Sequence, residues 1–357
     1  MASRTLLCWD FDWSLIEENT DTWVLQQLGA DAFYRAGRQA GTQWTRLMDE
    51  CLEKAASQLG RTPADVQAAL HATPFHPELV ALLRRVAATS GGGGSSSCGG
   101  SDSNGNGSGS SAIDVAVISD ANTVYIETIL THHGLSPAVL EVHSNPAEWR
   151  GGALRVAPYH TAPHGCRHCP SNLCKGQVLA SLLQRQAAAG LRYDRVLYVG
   201  DGKGDYCPSA LLLHGSQHWH AAGGAAIAAG CAASSNPATN GAAATAAQRG
   251  DSNAPAPAPC GSGSNRVFAR ESYPDGLPCS LWVMLRTEAA GNSGSGSGGS
   301  SAGGGSSSTP TSGQAAAAAA GGEAAAAGHA AGRQARVVPW SQPEELAGLL
   351  LKELQLS

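Results

Sequence analysis

Charge is scarce in this chain of 357 residues: Asp, Glu, Lys and Arg together make up 14%, against about 25% in an ordinary soluble domain. The shortage is local. Three stretches, 90–111, 215–265 and 289–335, consist almost wholly of Gly, Ser, Ala, Asn and Pro. They hold five charged residues between them, Asp102, Arg249, Asp251, Glu323 and Arg333. Outside them the charged share is about one-fifth, a normal globular value, so a collagen-like or wholly disordered chain is excluded.

A cluster of Lys and Arg is also missing. With 23 basic and 28 acidic residues and a formal net charge of −5, the chain has no electrostatic footprint for nucleic acid. No apolar run approaches the roughly 20 residues that cross a bilayer. The N-terminus lacks the long apolar region of a signal peptide before it reaches Asp10 and Asp12. The expectation is a cytoplasmic protein with neither nucleic-acid nor membrane partners. Ten cysteines would permit disulfides, but without an export signal they point to a reducing compartment. Cys98, Cys231 and Cys260 fall in the low-complexity stretches.

Four short apolar runs carry polar clusters at their carboxyl ends. Thr5–Trp9 runs into Asp10, Ile113–Ile118 into Ser119, Arg195–Val199 into Gly200-Asp201, and a weaker run, Arg266–Ala269, into Arg270. Such runs read as buried parallel strands. Helical patterns at Thr123–His133, Lys175–Ala188 and Ser209–Leu213 lie between them. Alternation of this kind predicts an α/β fold with an open parallel sheet, whose ligands bind beyond the strand carboxyl ends.

Residues 17–88 break the alternation. They predict successive helices at Asp21–Leu28, Asp31–Leu59, Pro63–Leu70 and Pro77–Ala87, the third with Thr62 as N-cap and Pro63 at the first helical position. The expected organisation begins with a first strand and its loop (1–16), a helical cap (17–88) and a disordered linker (89–112). Core (113–214), a disordered insertion (215–265), more core (266–288), a second disordered insertion (289–335) and a C-terminal core helix (336–357) follow. The disordered segments are expected to be dispensable for chemistry.

Asp10-Phe11-Asp12 places two carboxylates just past the first strand, where one could attack phosphorus and the other handle protons; D-x-D also occurs by chance in solvated turns. Gly200-Asp201-Gly202-Lys203-Gly204-Asp205 adds two carboxylates in a glycine-rich loop, a donor set suited to Mg²⁺. The D-x-[DN]-x-[DN]-G spacing of a calcium EF-hand is absent. Ser119 and Lys175 offer the hydroxyl and ammonium that a phosphoryl group needs. Taken singly, Ser119 reads as a helix cap and Lys175 as a solvated lysine; the ordered set of all four motifs is far more specific.

In that order the motifs resemble those of the haloacid dehalogenase superfamily of phosphohydrolases. More narrowly, the chain resembles the phosphoethanolamine/phosphocholine phosphatase family and its plant and algal relatives. The matching segments include Glu18-Asn19-Thr20-Asp21, Val117-Ile118-Ser119-Asp120-Ala121-Asn122, Cys169-Pro170-Ser171-Asn172-Leu173-Cys174-Lys175-Gly176 and Gly200–Pro208. The resemblance implies a Rossmann-like parallel core with a helical cap inserted after the first strand, and hydrolysis of a small phosphorylated metabolite. It implies Asp10 as nucleophile through an aspartyl-phosphate, and Asp12 as proton donor and then base. Ser119 and Lys175 would hold the phosphoryl group. Mg²⁺ would be held by Asp10, the Asp12 backbone carbonyl and Asp201, with Asp205 in support. Asp21 and Asp120 would face a cationic amine, as in phosphocholine or phosphoethanolamine; a competing reading makes each a helix N-cap.

Two positions depart from the usual pattern: Ser14 stands where Thr is commonest, and Trp13 is unusually bulky. Pyridoxal phosphate, thiamine monophosphate and pyrophosphate stay open as substrates. So do phosphotransfer to an alcohol and a catalytically silent zinc-binding scaffold. The segment with His160, His164, Cys166, Cys169 and Cys174 resembles a zinc knuckle lacking its second Cys-x2-Cys. A metal-free lid and redox chemistry are the other readings.

Overall fold

The computed structural model describes residues 3–90, 112–215, 264–292 and 336–356. Apart from a few terminal residues, the three low-complexity stretches lie outside the described residues, and so do the expectations of disorder and dispensability placed on them.

Strand β1 (Arg4–Trp9) is followed by α1 (Thr20–Gln27), α2 (Asp31–Gln39), α3 (Trp44–Leu59), α4 (Pro63–His71) and α5 (Pro77–Ser90). Then come β2 (Ala112–Asn122), α6 (Thr123–His132), β3 (Glu141–Asn145), and a hairpin of β4 (Ala147–Arg150) with β5 (Ala153–Val156). The remainder is α7 (Lys175–Ala188), β6 (Arg195–Gly200), α8 (Tyr206–His214), β7 (Arg266–Arg270), α9 (Ser280–Asn292), β8 (Arg336–Trp340) and α10 (Pro343–Leu354).

Six strands form one sheet in the order β3-β2-β1-β6-β7-β8, all pairs parallel. Its central strands are apolar without alternation because both faces are covered. Leu7, Trp9, Val117, Leu197, Val199 and Phe268 point into one core, shared with α5, α6 and α10. Leu6, Cys8, Ile118, Tyr198 and Val267 point into the other, shared with α7, α8 and α9. Counting only sheet strands, the chain starts in the middle, moves to one edge, returns and builds the other half. The reversal falls between β1 and β6, so a crevice opens where their carboxyl ends diverge.

The helical block after β1 is present, with two differences from the sequence reading. The single helix expected over Asp31–Leu59 is two, because Gly41 sits at φ +70° and Gln43 caps α3 by accepting from Arg46 N at 3.0 Å. The expected cap boundary at 88 falls inside a helix that packs with the core: α5 lies against β2 and α10. The start of α4 follows the prediction, with Thr62 and Asp65 forming a capping box ahead of Pro63.

Beyond the helical insertion, β3, β8 and the β4–β5 hairpin were not anticipated. The C-terminal segment, expected as a helix from 336, begins as an edge strand and turns helical only at Pro343. The hairpin leans on α3, where Arg155 grips Asp49 through two hydrogen bonds of 2.8 and 2.6 Å. No helix among the described residues is long and apolar enough to cross a membrane.

Candidate active site

Past β1 the chain turns sharply. The Phe11 carbonyl accepts from the N–H groups of Leu15 and Ile16 at 2.9 and 3.1 Å. Trp13 takes φ +57°, which a bulky residue adopts only under constraint. The constraint is Arg270: its Nη1 donates to the Trp13 carbonyl at 2.6 Å, and its guanidinium lies 5.8 Å from the Trp13 ring and 5.1 Å from that of Trp340. The result is a rigid turn that aims Asp10 and Asp12 into a cavity of about 550 Å³.

The Asp10 carboxylate accepts from its neighbour Phe11 N at 2.7 Å and meets Lys175 Nζ at 2.6 Å. Lys175 enters from the start of α7 and also donates to Asp205 Oδ1 at 2.9 Å. Asp12 accepts from Thr20 Oγ1 at 2.9 Å. Asp201, at the end of β6, accepts from Ser14 Oγ at 2.9 Å and Tyr273 Oη at 2.8 Å. The Ser14 hydroxyl thus keeps the contact that a Thr hydroxyl could make. Asp205 is saturated: Lys175 and Tyr198 donate to one oxygen, the N–H groups of Asp201 and Gly202 to the other. Four donors occupy about four lone-pair sites, so Asp205 organises the loop.

Asp10, Asp12, Asp201, Asp205 and Lys175 are all buried. Burial raises Asp10, and Asp205 adds to the rise while Lys175 opposes it. Burial and the nearby Asp21 raise Asp12. Burial, then Asp205, pushes Asp201 up to about 7. Burial works against the Lys175 charge, but Asp10, Asp205 and Asp120 override it and hold the group well above its usual range. Carboxylate oxygens of Asp10, Asp201 and Asp205 lie within 4.8 Å of one another. One ammonium does not neutralise this many buried carboxylates, and an all-oxygen donor set is what a hard divalent cation takes. The residues therefore fit Mg²⁺.

The other expected residues divide. Asp120 lines the cavity with Asp10, Asp12, Trp13, Asn19, Lys175 and Tyr273, its Oδ1 3.9 Å from Lys175 Nζ. Asp21 does not line it; buried in the first turn of α1, its carboxylate accepts from Trp44 Nε1 at 2.7 Å and is pushed up to about 7 by burial. Neither Asp21 nor Asp120 is a helix cap. Asn19 caps α1 and Asn122 caps α6, each accepting from an N–H three residues on. Ser119 is fully buried in the last part of β2, outside the cavity lining, and its hydroxyl accepts from Ala121 N at 3.2 Å.

The zinc-knuckle expectation needs correcting. Cys166, Cys169 and Cys174 do come together, but His160 and His164 are not with them. Both His164 nitrogens are engaged, one donating to the Pro170 carbonyl at 2.8 Å and the other accepting from Cys166 N at 3.1 Å. The His160 ring lies against those of Tyr159 and His164. The fourth member of the cluster is Cys207.

Against this geometry, comparison with known proteins is decisive. Residues 5–96 and 107–217 match the family described as Putative Phosphatase. The chain belongs to that family. It is a phosphatase of the haloacid dehalogenase superfamily. Among curated relatives, a thiamine phosphate phosphatase-like protein of Arabidopsis thaliana is 32% identical over 215 residues, covering 59% of this chain and 77% of that protein. The phosphoethanolamine/phosphocholine phosphatase of Homo sapiens is 31% identical over 220 residues, covering 60% and 73%. Among solved structures, a haloacid dehalogenase family hydrolase of Salmonella enterica serovar Typhi aligns at 16% identity and a TM-score of 0.38, covering 58% and 60%.

Sequence reading missed several residues that build the phosphatase site. Arg270 ends β7, where its apolar run marks a strand end but not its role against Trp13, and Tyr273 lies in the loop beyond, with no local pattern to mark it. Thr20, which holds Asp12, lies inside the quoted Glu18–Asp21 segment without having been singled out. Gly200 has a role visible only in three dimensions: a Cβ there would lie 2.6 Å from Asp205 Cγ. Gly200→Ala is therefore expected to displace Asp205, loosening both Lys175 and the Asp201 amide. Overpacking of this kind costs about 1–3 kcal/mol, and misplacement by an ångström costs about 100-fold in rate. Melting temperature and kcat of the variant test this; a wild-type kcat would show that the position of Asp205 is immaterial.

Proposed function

We propose that the enzyme hydrolyses a small phosphomonoester through an aspartyl-phosphate on Asp10, with phosphoethanolamine or phosphocholine as the favoured substrate. The carrying observation is the Asp10–Lys175 pair at the floor of the cavity, with Asp12 two residues on and Asp120 on the wall.

The Asp10 carboxylate forms a bond to phosphorus as the ester P–O bond breaks. The leaving alkoxide takes its proton from Asp12, whose raised pKa keeps that proton available. Asp12 then accepts a proton from water as the water attacks the aspartyl-phosphate, releasing phosphate and restoring Asp10. Lys175, which lines the cavity, neutralises charge on the phosphoryl oxygens, and the family resemblance assigns a hydrogen bond to them to the hydroxyl of Ser119, which is buried outside the cavity lining. Mg²⁺ would be held by Asp10, the Asp12 carbonyl and Asp201, supplying positive charge beside the phosphoryl group. Asp205 works from behind, positioning Lys175 and the Asp201 amide.

The human relative is named for amine-bearing substrates, and Asp120 is the cavity carboxylate placed to meet an ammonium. Asp120→Asn is expected to raise KM for phosphoethanolamine by about 5- to 30-fold, the equivalent of ~1–2 kcal/mol left from a 4 Å charge contact after screening and desolvation. Glycerol phosphate should be little affected. Asp21, turned toward Trp44, should leave the ratio between the two substrates unchanged when replaced by Asn. The test is phosphate release from phosphoethanolamine, phosphocholine, pyridoxal phosphate, thiamine monophosphate, pyrophosphate and glycerol phosphate, with Mg²⁺ and with chelator. Turnover that survives chelation would remove the metal assignment. A panel led by an amine-free phosphate, or equal effects of Asp120→Asn on all substrates, would remove amine recognition.

A further inference from the structure

Between Val156 and the start of α7 the chain runs from 157 to 174 with no helix or strand, yet Arg167, His168, Cys169 and Pro170 from this segment line the cavity. A segment with so little backbone hydrogen bonding needs another source of order. It carries three thiols. Cys166, Cys169 and Cys174 converge with Cys207, which sits in the first turn of α8, so that all four sulfurs lie within 4.8 Å of one another.

The spacing discriminates between the chemistries open to four thiols. Cys207 Sγ is 3.7 Å from both Cys166 Sγ and Cys174 Sγ. A disulfide needs sulfurs about 2.05 Å apart, and all four cysteines are free. A tetrahedron with metal–sulfur bonds of about 2.3 Å has sulfur–sulfur edges of about 3.8 Å, close to the separation seen. Four soft thiolates select zinc over magnesium, and a full set of four protein ligands leaves no open position for substrate. The surroundings are ordered to match: Gln177 Nε2 donates to the His164 carbonyl at 2.6 Å, and the His164 ring bridges Pro170 and Cys166.

We propose that Cys166, Cys169, Cys174 and Cys207 bind one structural Zn²⁺ that pins the 157–174 segment over the cavity. Cys174 immediately precedes Lys175, and Cys207 follows Asp205 by two residues. The same ion therefore fixes the approach of the buried ammonium to the carboxylate that organises the Asp201 loop. This site is separate from the carboxylate cluster and does not depend on which phosphate is the substrate.

The experiment measures metal content of the full chain purified under reducing conditions without chelator. About one zinc per chain is expected, retained through dialysis against Mg²⁺. Cys166→Ser should lower the zinc content well below one. Zinc-stripped wild type titrated with Co²⁺ should develop thiolate-to-metal charge transfer and the visible bands of a tetrahedral site, which keeps the proposal testable if the variant does not fold. Zinc-free protein whose reduced thiols take up no Co²⁺ would overturn the proposal. So would equal zinc in Cys166→Ser and wild type, which would put the metal elsewhere, or a mass showing two disulfides among these four cysteines in the freshly purified chain.

Discussion

Asp10→Asn is expected to lower kcat by about 10⁴-fold or more, the scale of loss when a covalent nucleophile is removed from a preorganised site. The fold should survive. The amide has nearly the volume of the carboxylate, and its oxygen still accepts from Phe11 N, which donates to Asp10 at 2.7 Å. Burial already penalises the charge at this position, with Asp205 and Asp201 adding to the penalty. A neutral side chain relieves that repulsion while leaving Lys175 its contact with Asp205. Rapid-quench assays with labelled substrate should find no phosphorylated enzyme, and thermal melts should show a protein at least as stable as wild type. Activity within tenfold of wild type would exclude Asp10 as the nucleophile, whatever the stability.

Lys175→Met combines a loss of activity with a loss of stability. The ammonium is 2.6 Å from Asp10 and 2.9 Å from Asp205, and all three groups are buried. Removing one partner from such a cluster leaves carboxylates without compensation and costs about 3–5 kcal/mol, a large part of a typical folding stability of about 5–15 kcal/mol. The pH dependence has a definite sign. A buried carboxyl whose folded pKa lies above its unfolded value weakens the fold progressively as pH rises through that window. Without Lys175 the raised pKa of Asp10 moves further up. The deficit of the variant should therefore be largest at mildly alkaline pH and shrink toward about pH 5, where Asp10 and Asp201, both raised by burial, hold their protons. Melts of both proteins across that range decide it; a deficit independent of pH would mean that the lysine acts through packing alone.

Asp10 and Asp12 share one short loop, and Asp201 and Asp205 another. Both pairs were legible in the sequence because each pair follows an apolar run that reads as a buried strand, and strand carboxyl ends are where an open parallel sheet presents ligands. Ser119, just past the apolar run Ile113–Ile118, was legible for the same reason, and Lys175 as the opening residue of a helical pattern. Thr62 and Pro63 announced α4 by local capping chemistry. β3 was not legible, since Glu141–Asn145 carries Glu, His, Ser and Asn and has no apolar run to mark it. Nor was β8, whose Pro339 argues against a strand until its edge position in the sheet is known.

The sequence by itself determined the chemical inventory of this phosphatase: the two carboxylate pairs, the lysine, the serine, the thiols and the alternation of strands with helices. These are properties of short windows, where side-chain period, glycine and proline content and capping act over one or two turns. Tertiary structure alone decided which of these groups meet. The reversal of strand order between β1 and β6 brings Asp10 within reach of Asp201 across 190 residues of chain. Parallel pairing carries Arg270 and Tyr273 from β7 and its following loop to Trp13 and Asp201. Packing of α7 against α8 gives the cysteine cluster its fourth sulfur from Cys207 and leaves the two nearby histidines out. Turning Asp21 toward Trp44 while Asp120 faces the cavity is of the same kind. Burial and pairing partners are set by contacts between distant segments, and no window of sequence contains both sides of such a contact.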